Sequence, residues 1–174
     1  MKDQLGAAER LVIRQAALGG RPVRNEGSPM GAIFNVFPLI LIPVLIYNIW
    51  AFAATAAGAT ASAVRDQMNG KLLSMPMASG VEWVVTNGEA MVLVALVLLF
   101  IELLKSTSTG TAAIFNHALS MLVFIICLVE FLLHPAFATT VFFMIMIMAL
   151  LDVLAGVVVT IVSARRDVEF AGQH

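Results

Sequence analysis

The amino-acid sequence predicts an all-α integral membrane protein: a four-helix bundle with both termini in the cytoplasm and a short amphipathic helix at the N-terminus. Three observations predict this fold. The 174 residues are 60% hydrophobic and only 12% charged, whereas an ordinary globular domain is roughly 45–50% apolar. Four apolar runs approach the length of about 20 residues that crosses a bilayer. Positive charges concentrate before the first run and after the last.

The apolar runs predict four spans, which cover residues 30–57, 88–105, 111–134 and 137–163. The second span is the shortest, and Glu102 and Lys105 near its end precede a Ser/Thr/Gly-rich turn. Between the third and fourth spans, Pro135 ends one helix and allows the next to begin. These two helices are therefore expected to form an antiparallel hairpin. With the loop 58–87, the spans make up a transmembrane domain of residues 29–164.

Three segments lie outside the spans. Residues 1–28 include a stretch that can form an interfacial amphipathic helix, and a solvated cytoplasmic extension is the alternative. The loop 58–87 is too polar to span and too apolar for a plain linker, so it is expected to pack on the outer end of the bundle, with turns at "MNGK" and "MPMASG". Residues 165–174 are predicted to be a cytoplasmic tail.

The distribution of positive charge predicts the orientation in the membrane. The third-to-fourth connection has no Lys or Arg, and the long first-to-second loop has only Arg65 and Lys71. Cytoplasmic segments carry the excess of Lys and Arg, so both termini are placed in the cytoplasm. A bacterial inner (plasma) membrane is the expected location. The cations outside the spans at the two ends of the chain include Lys2, Arg10, Arg14, Arg21, Arg24, Arg165 and Arg166.

Polar side chains within the apolar runs are the candidate functional residues, because an ionisable group at membrane depth costs several kcal/mol and needs a partner. At about 1.5 Å per residue, their depths from the cytoplasmic ends range from roughly 5 Å to about 16 Å. All four helices contribute, so one connected polar or proton site is possible. The predicted members are Asp152, His117, Glu102, Asn116 and Asn35.

Asp152 is the strongest candidate because it lies deepest. Its helical face carries the small residues Ala149, Ala155 and Gly156, and small residues allow membrane helices to approach closely. The sequence therefore predicts that Asp152 is buried between helices. On the third span, Asn116 lies on the face expected to point inward, with His117 at its edge.

Two interpretations of these polar groups remain open. In the first, Asp152 and His117 form a proton or cation site lined by the other members. In the second the groups are structural: Glu102 pairs with Lys105, and Asp152 is held by hydrogen bonds from Asn or His. Near the outer end, Glu130 and His134 lie one turn apart and are expected to form an interfacial pair.

Several function classes find little support. The near-zero net charge gives no basic face for nucleic acid, and no nucleophile elbow, phosphate loop or HExxH motif is present. His117 and His134 are about 25 Å apart on one helix, too far to hold one haem within a chain. The spacing of His, Cys and carboxylates matches no zinc motif. We therefore expect no enzymatic activity, no catalytic residues, no metal and no cofactor.

Two functions from different classes remain. The first is a structural or accessory subunit of a membrane complex, which needs no catalytic motif. The second is an oligomeric channel or proton-coupled transporter that uses the polar residues around Asp152. The expected partners are the lipid bilayer and either other membrane subunits or further copies of the chain. A dry, paired Asp152 favours the first function, and a wet cavity reaching it favours the second.

Overall fold

The structure, a computed structural model, describes residues 36–105 and 111–171. The described chain is mostly helical, and a 3-10 turn at Pro135–Phe137 joins its last two helices. The amphipathic helix predicted within residues 1–28 lies outside the described residues. In chain order the elements are α1 (Leu41–Ala56), α2 (Ala61–Met68), β1 (Lys71–Pro76), β2 (Glu82–Thr86), α3 (Asn87–Lys105), α4 (Thr111–Leu133) and α5 (Thr140–Ala171).

Among the described residues, three helices are long and apolar enough to cross a membrane, and they fall where the second, third and fourth spans were predicted. Their outward-facing side chains are largely aliphatic: Leu93 is 60% exposed, Leu122 52% and Leu154 49%. Apolar surface on this scale requires an apolar solvent, so the chain is a membrane protein. The three apolar segments are Asn87–Lys105, Ala113–Leu133 and Thr140–Val162.

The structure describes the first predicted span from residue 36 onward. Among the described residues, α1 begins only at Leu41 and has 16 residues, fewer than the about 20 that cross a bilayer. Two prolines explain this start. Pro38 precedes the helix, and Pro43 lies in its first turn, where a backbone N–H has no acceptor within the helix. Both prolines therefore mark the beginning of α1 and do not interrupt its interior.

An aromatic cluster holds α1 against the turn between α4 and α5. The Tyr47 ring lies 4.8 Å from the Phe142 ring and 5.5 Å from the Phe137 ring, measured between centroids. Its hydroxyl lies 2.7 Å from Thr139 Oγ1 and donates to Ala136 O at 3.1 Å. Tyr47 is fully buried, and a buried phenol needs such partners. The middle of α1 thus lies beside the α4–α5 turn.

The segment between α1 and α3 is structured throughout. Helix α2 is followed by an antiparallel hairpin of β1 and β2. The predicted turn at "MNGK" lies between α2 and β1, whereas the first two residues of "MPMASG" belong to β1 and the turn follows them. In that turn Met77 N donates to Val81 O, and Gly80 adopts a φ of +83°, a conformation that glycine accepts without steric cost.

Hydrogen bonds attach this segment to the ends of the long helices. The Trp50 indole N–H donates to Gln67 Oε1 at 2.6 Å, and Asn87 Nδ2 donates to Gln67 O at 2.9 Å. Thr86 and Glu89 form a reciprocal capping box at the start of α3, with N–H to side-chain distances of 2.8 and 3.2 Å. The hairpin therefore leads, with no linker, directly into a helix that is long and apolar enough to cross a membrane.

Gly88 permits a close approach between α3, α5 and α2. A Cβ atom at this position would lie 2.5 Å from Val141 Cγ2 and 3.2 Å from Met68 O. We expect Gly88→Ala to destabilise the protein by about 1–3 kcal/mol, the usual cost of overpacking. The measurement is the apparent melting temperature in mild detergent. Adding Val141→Ala should recover most of the loss, because it removes the clashing methyl; an additive further loss would contradict the packing.

Candidate functional site

The carboxylate of Glu102 is the centre of a polar cluster near the C-terminal end of α3. Glu102 is fully buried and accepts three hydrogen bonds. Leu39 N donates to Oε2 at 2.8 Å, and Asn116 Nδ2 donates to Oε1 at 2.5 Å. Lys105 Nζ lies 2.9 Å from Oε2. The single side chain thus connects the segment before α1, helix α3 and helix α4.

Lys105 extends the cluster from the next turn of α3. Its side chain is only 7% exposed, and Nζ donates to Phe37 O at 2.6 Å and to Asn116 Oδ1 at 3.4 Å. The ion pair expected between Glu102 and Lys105 is present. Because Asn116 donates to the carboxylate and accepts from the ammonium, its amide bridges both charges. A buried charge pair needs such additional hydrogen bonds to offset desolvation.

Asp152 is the centre of a second polar group, which lies between α4 and α5. It is 3% exposed on α5, and Ser120 Oγ of α4 donates to its Oδ2 at 2.5 Å. Ser120 is fully buried and lies one turn after Asn116. Because Asn116 binds Glu102 and Ser120 binds Asp152, the two carboxylates contact the same face of α4 one turn apart.

His117 lies beside Gly156, where α4 and α5 pack together. A Cβ atom at Gly156 would collide with Nδ1 of the imidazole ring. Within the described part of the chain, Nδ1 is buried without a hydrogen-bond partner. Nearly all buried polar atoms in proteins have a partner, so this nitrogen is an unused donor or acceptor at membrane depth. Because Gly156 has no side chain, the His117 ring fits between α4 and α5.

Glu130 and His134, the predicted outer pair, contact different parts of the structure. Glu130 Oε2 accepts from Asn48 Nδ2 of α1 at 3.1 Å. His134 Nδ1 accepts from Ala136 N at 3.3 Å, and its ring packs edge-on against Phe137 at 5.1 Å. Glu130 therefore links α4 to α1, while His134 caps the turn at Pro135–Phe137.

Four of the five predicted members of the polar site thus lie in one region, namely Glu102, Asn116, His117 and Asp152. Asn35 lies outside the described residues. Lys105 and Ser120 were not predicted as members, although each had a signal. Lys105 follows Glu102 by three residues, and Ser120 follows Asn116 by four, spacings that place side chains on one helical face.

The donor set is not that of a metal centre. Among residues 36–105 and 111–171, no group of three His, Cys, Asp or Glu side chains is placed to hold a metal ion. Cys127 is buried in the apolar core of α4. With Lys105 in contact with Glu102, the arrangement suits hydrogen bonding and ion pairing between helices.

Comparisons with protein-family models, curated proteins and solved structures find no significant match to this chain.

The Glu102 contacts predict that a nearly isosteric change will be costly. In Glu102→Gln one carboxylate oxygen becomes an NH2 group, which must face one of the N–H donors that now bind it. We expect a loss of about 3 kcal/mol, the usual scale for breaking a buried ion pair. Thermal unfolding in detergent measures it. Glu89→Gln on the same helix is the matched control and should have little effect, since Gln also completes a capping box. Equal melting temperatures for both variants would contradict the central role of Glu102.

Proposed function

We propose that this protein is a structural or accessory subunit of a membrane complex. One observation carries the proposal: both carboxylates of the polar cluster are engaged by neighbouring helices. Glu102 accepts from three donors, and Asp152 accepts from Ser120 while remaining 3% exposed. Paired, dry acids of this kind fix how helices pack, and they leave little capacity for exchanging ions with water.

We further propose a four-span architecture with both termini in the cytoplasm of a bacterial inner membrane. Residues 36–40 precede α1, and together with its 16 residues they bring the first span close to the required length. Leu39 lies near the end of α3 and Tyr47 near the start of α5, as an up-and-down bundle requires. The excess of Lys and Arg at the chain ends supports the orientation.

A partner helix would find suitable surface on the C-terminal half of α1. Ala53 and Ala56 are exposed and lie three residues apart on one face. In membranes, helix association depends on close van der Waals packing, which small residues permit. We therefore place the contact with another membrane subunit, or with a further copy of this chain, on this face of α1.

The interface can be tested by co-purification. We expect Ala53→Leu to reduce recovery of the partner several-fold from membranes solubilised in mild detergent, because the larger side chain separates the helices. Affinity purification followed by mass spectrometry measures the recovery. Ala118→Leu makes the same change at an exposed position of α4 and should leave recovery unchanged. Equal losses in both variants would exclude this face, and a lone monomer in mild detergent would contradict the subunit proposal.

A second candidate function, an oligomeric channel or proton-coupled transporter, is favoured by His117 alone. Its Nδ1 is buried without a partner in the described chain and lies against Gly156, one helical turn after Asp152 on α5. A proton pathway at membrane depth requires an available nitrogen of this kind.

Flux measurements separate the two candidates. For a structural subunit, we expect purified protein in liposomes to show no pH-dependent ion flux, and Asp152→Asn to leave that result unchanged. A pH-sensitive dye inside the vesicles provides the readout. For a transporter, the wild type would carry a flux that Asp152→Asn abolishes. Asp66→Asn, an exposed change in α2, is the matched control and should behave as the wild type in either case.

A further inference from the structure

The hairpin of β1 and β2 is amphipathic. The cross-strand pairs Leu73–Val85 and Met75–Trp83 lie on one face, because side chains alternate along a strand and paired residues share a side. We call these four residues the apolar hairpin face. Leu73, Met75 and Trp83 are 50%, 41% and 52% exposed, respectively. This face carries no charged or polar side chain apart from the indole N–H.

The opposite face of the hairpin is polar. An irregularity between Lys71 and Leu73 places Lys71 on the side of Ser74 and Glu82. Lys71 Nζ lies 3.1 Å from Glu82 Oε1. Hydrogen bonds from Ser74 and from Lys71 hold the pKa of the Glu82 carboxyl below its ordinary value. The Lys71–Glu82 contact independently supports the pairing that puts these side chains on one face, and Val84 and Pro76 are apolar members of that face.

The base of the hairpin lies beside the membrane-spanning helices. Leu72, the extra residue at the irregularity, lines a groove of about 280 Å³ together with Ile46 of α1 and Val94 of α3. Ile46 and Val94 are 46% and 48% exposed on the outside of these helices. Val94 lies about 10 Å along α3 from its first residue. Leu72 therefore extends the exposed apolar surface of α1 and α3 onto the base of the hairpin, and Asn87 is the polar residue of this groove.

We propose that the apolar hairpin face binds the surface of the lipid bilayer, at the boundary between headgroups and acyl chains, so that the hairpin lies along the membrane. Three observations indicate that the bilayer surface covers this face. The hairpin joins α3 without a linker, Leu72 lines the lipid-facing groove, and both charged side chains of the strands are on the opposite face. A hairpin standing upright would expose the apolar face to water, and an isolated two-stranded hairpin is only marginally stable there. The Trp83 indole suits the headgroup layer. This inference does not depend on the accessory-subunit proposal.

Tryptophan fluorescence tests the proposal, because Trp50 and Trp83 are the two tryptophans of the chain. The Trp50→Phe variant, reconstituted alone into phosphatidylcholine vesicles at high lipid-to-protein ratio, reports Trp83. We expect strong quenching when the lipid is brominated near the glycerol end of its acyl chains, and several-fold weaker quenching by aqueous acrylamide than for free tryptophan.

The matched control moves the indole to the other face. In Trp50→Phe/Trp83→Phe/Val84→Trp we expect the opposite pattern, with ready quenching by acrylamide and little by brominated lipid. Trp83 open to acrylamide and insensitive to brominated lipid would overturn the proposal. Trp83 insensitive to both quenchers would also overturn it, because a protein surface, such as a second copy, would then cover the face.

A second measurement covers the case in which these variants do not fold. In a Cys127→Ala background, a spin label on Met75→Cys should be more accessible to oxygen than to a water-soluble nickel chelate. Ser74→Cys, its neighbour on the polar face, should show the reverse preference. Identical accessibilities at the two positions would reject a membrane-bound apolar face.

Discussion

The rest of the structure depends on the bond network around Glu102. Pro38 interrupts regular structure just before α1, and backbone groups near it must be satisfied where little water is available. The carboxylate of Glu102 accepts from Leu39 N, while Lys105, one turn later, donates to Phe37 O. One ion pair on α3 therefore supplies both an acceptor and a donor to the same short stretch of backbone. The charges cost desolvation energy, and these extra bonds offset part of it.

The start and the middle of α1 are held by different kinds of interaction. At its start, directional hydrogen bonds to Glu102 and Lys105 set its position along α3. Near its centre, Tyr47 packs into the aromatic cluster, and Asn48 donates to Glu130 of α4. Apolar contact discriminates weakly between helix registers in lipid, because lipid tails are as apolar as the helices. Polar contacts at two levels of α1 therefore define its register more sharply than packing alone.

Much of the helical fold and of the polar cluster could be predicted from the sequence, and each feature that could not has a physical reason. Run length and hydropathy predicted the three long spans, and small residues on the helical face of Asp152 predicted its burial. Within the first predicted span, the regular helix α1 begins only after Pro38, a break that mean hydropathy does not register. The hairpin was missed because Leu72 and Leu73 interrupt the alternation of β1, and because strand pairing across a turn is not visible in a local pattern. Ser120 was not predicted as the partner of Asp152, because the sequence pattern of one helix does not show which side chain of another helix it will meet.

Hydrogen bonds are distributed unevenly within the polar cluster, and this distribution limits which of its residues could exchange a proton. Glu102 and Lys105 bind backbone and side chains from three segments, so moving either would break several bonds at once. Asp152 has one described donor, Ser120, and lies in a region where His117 Nδ1 has none within the described chain. The cluster thus consists of a fully bonded part around Glu102 and Lys105 on α3 and a part with unused hydrogen-bonding capacity between α4 and α5. Proton exchange within the membrane would need a polar atom that is not already bonded, and among the described residues the buried His117 Nδ1 beside Gly156 is such an atom.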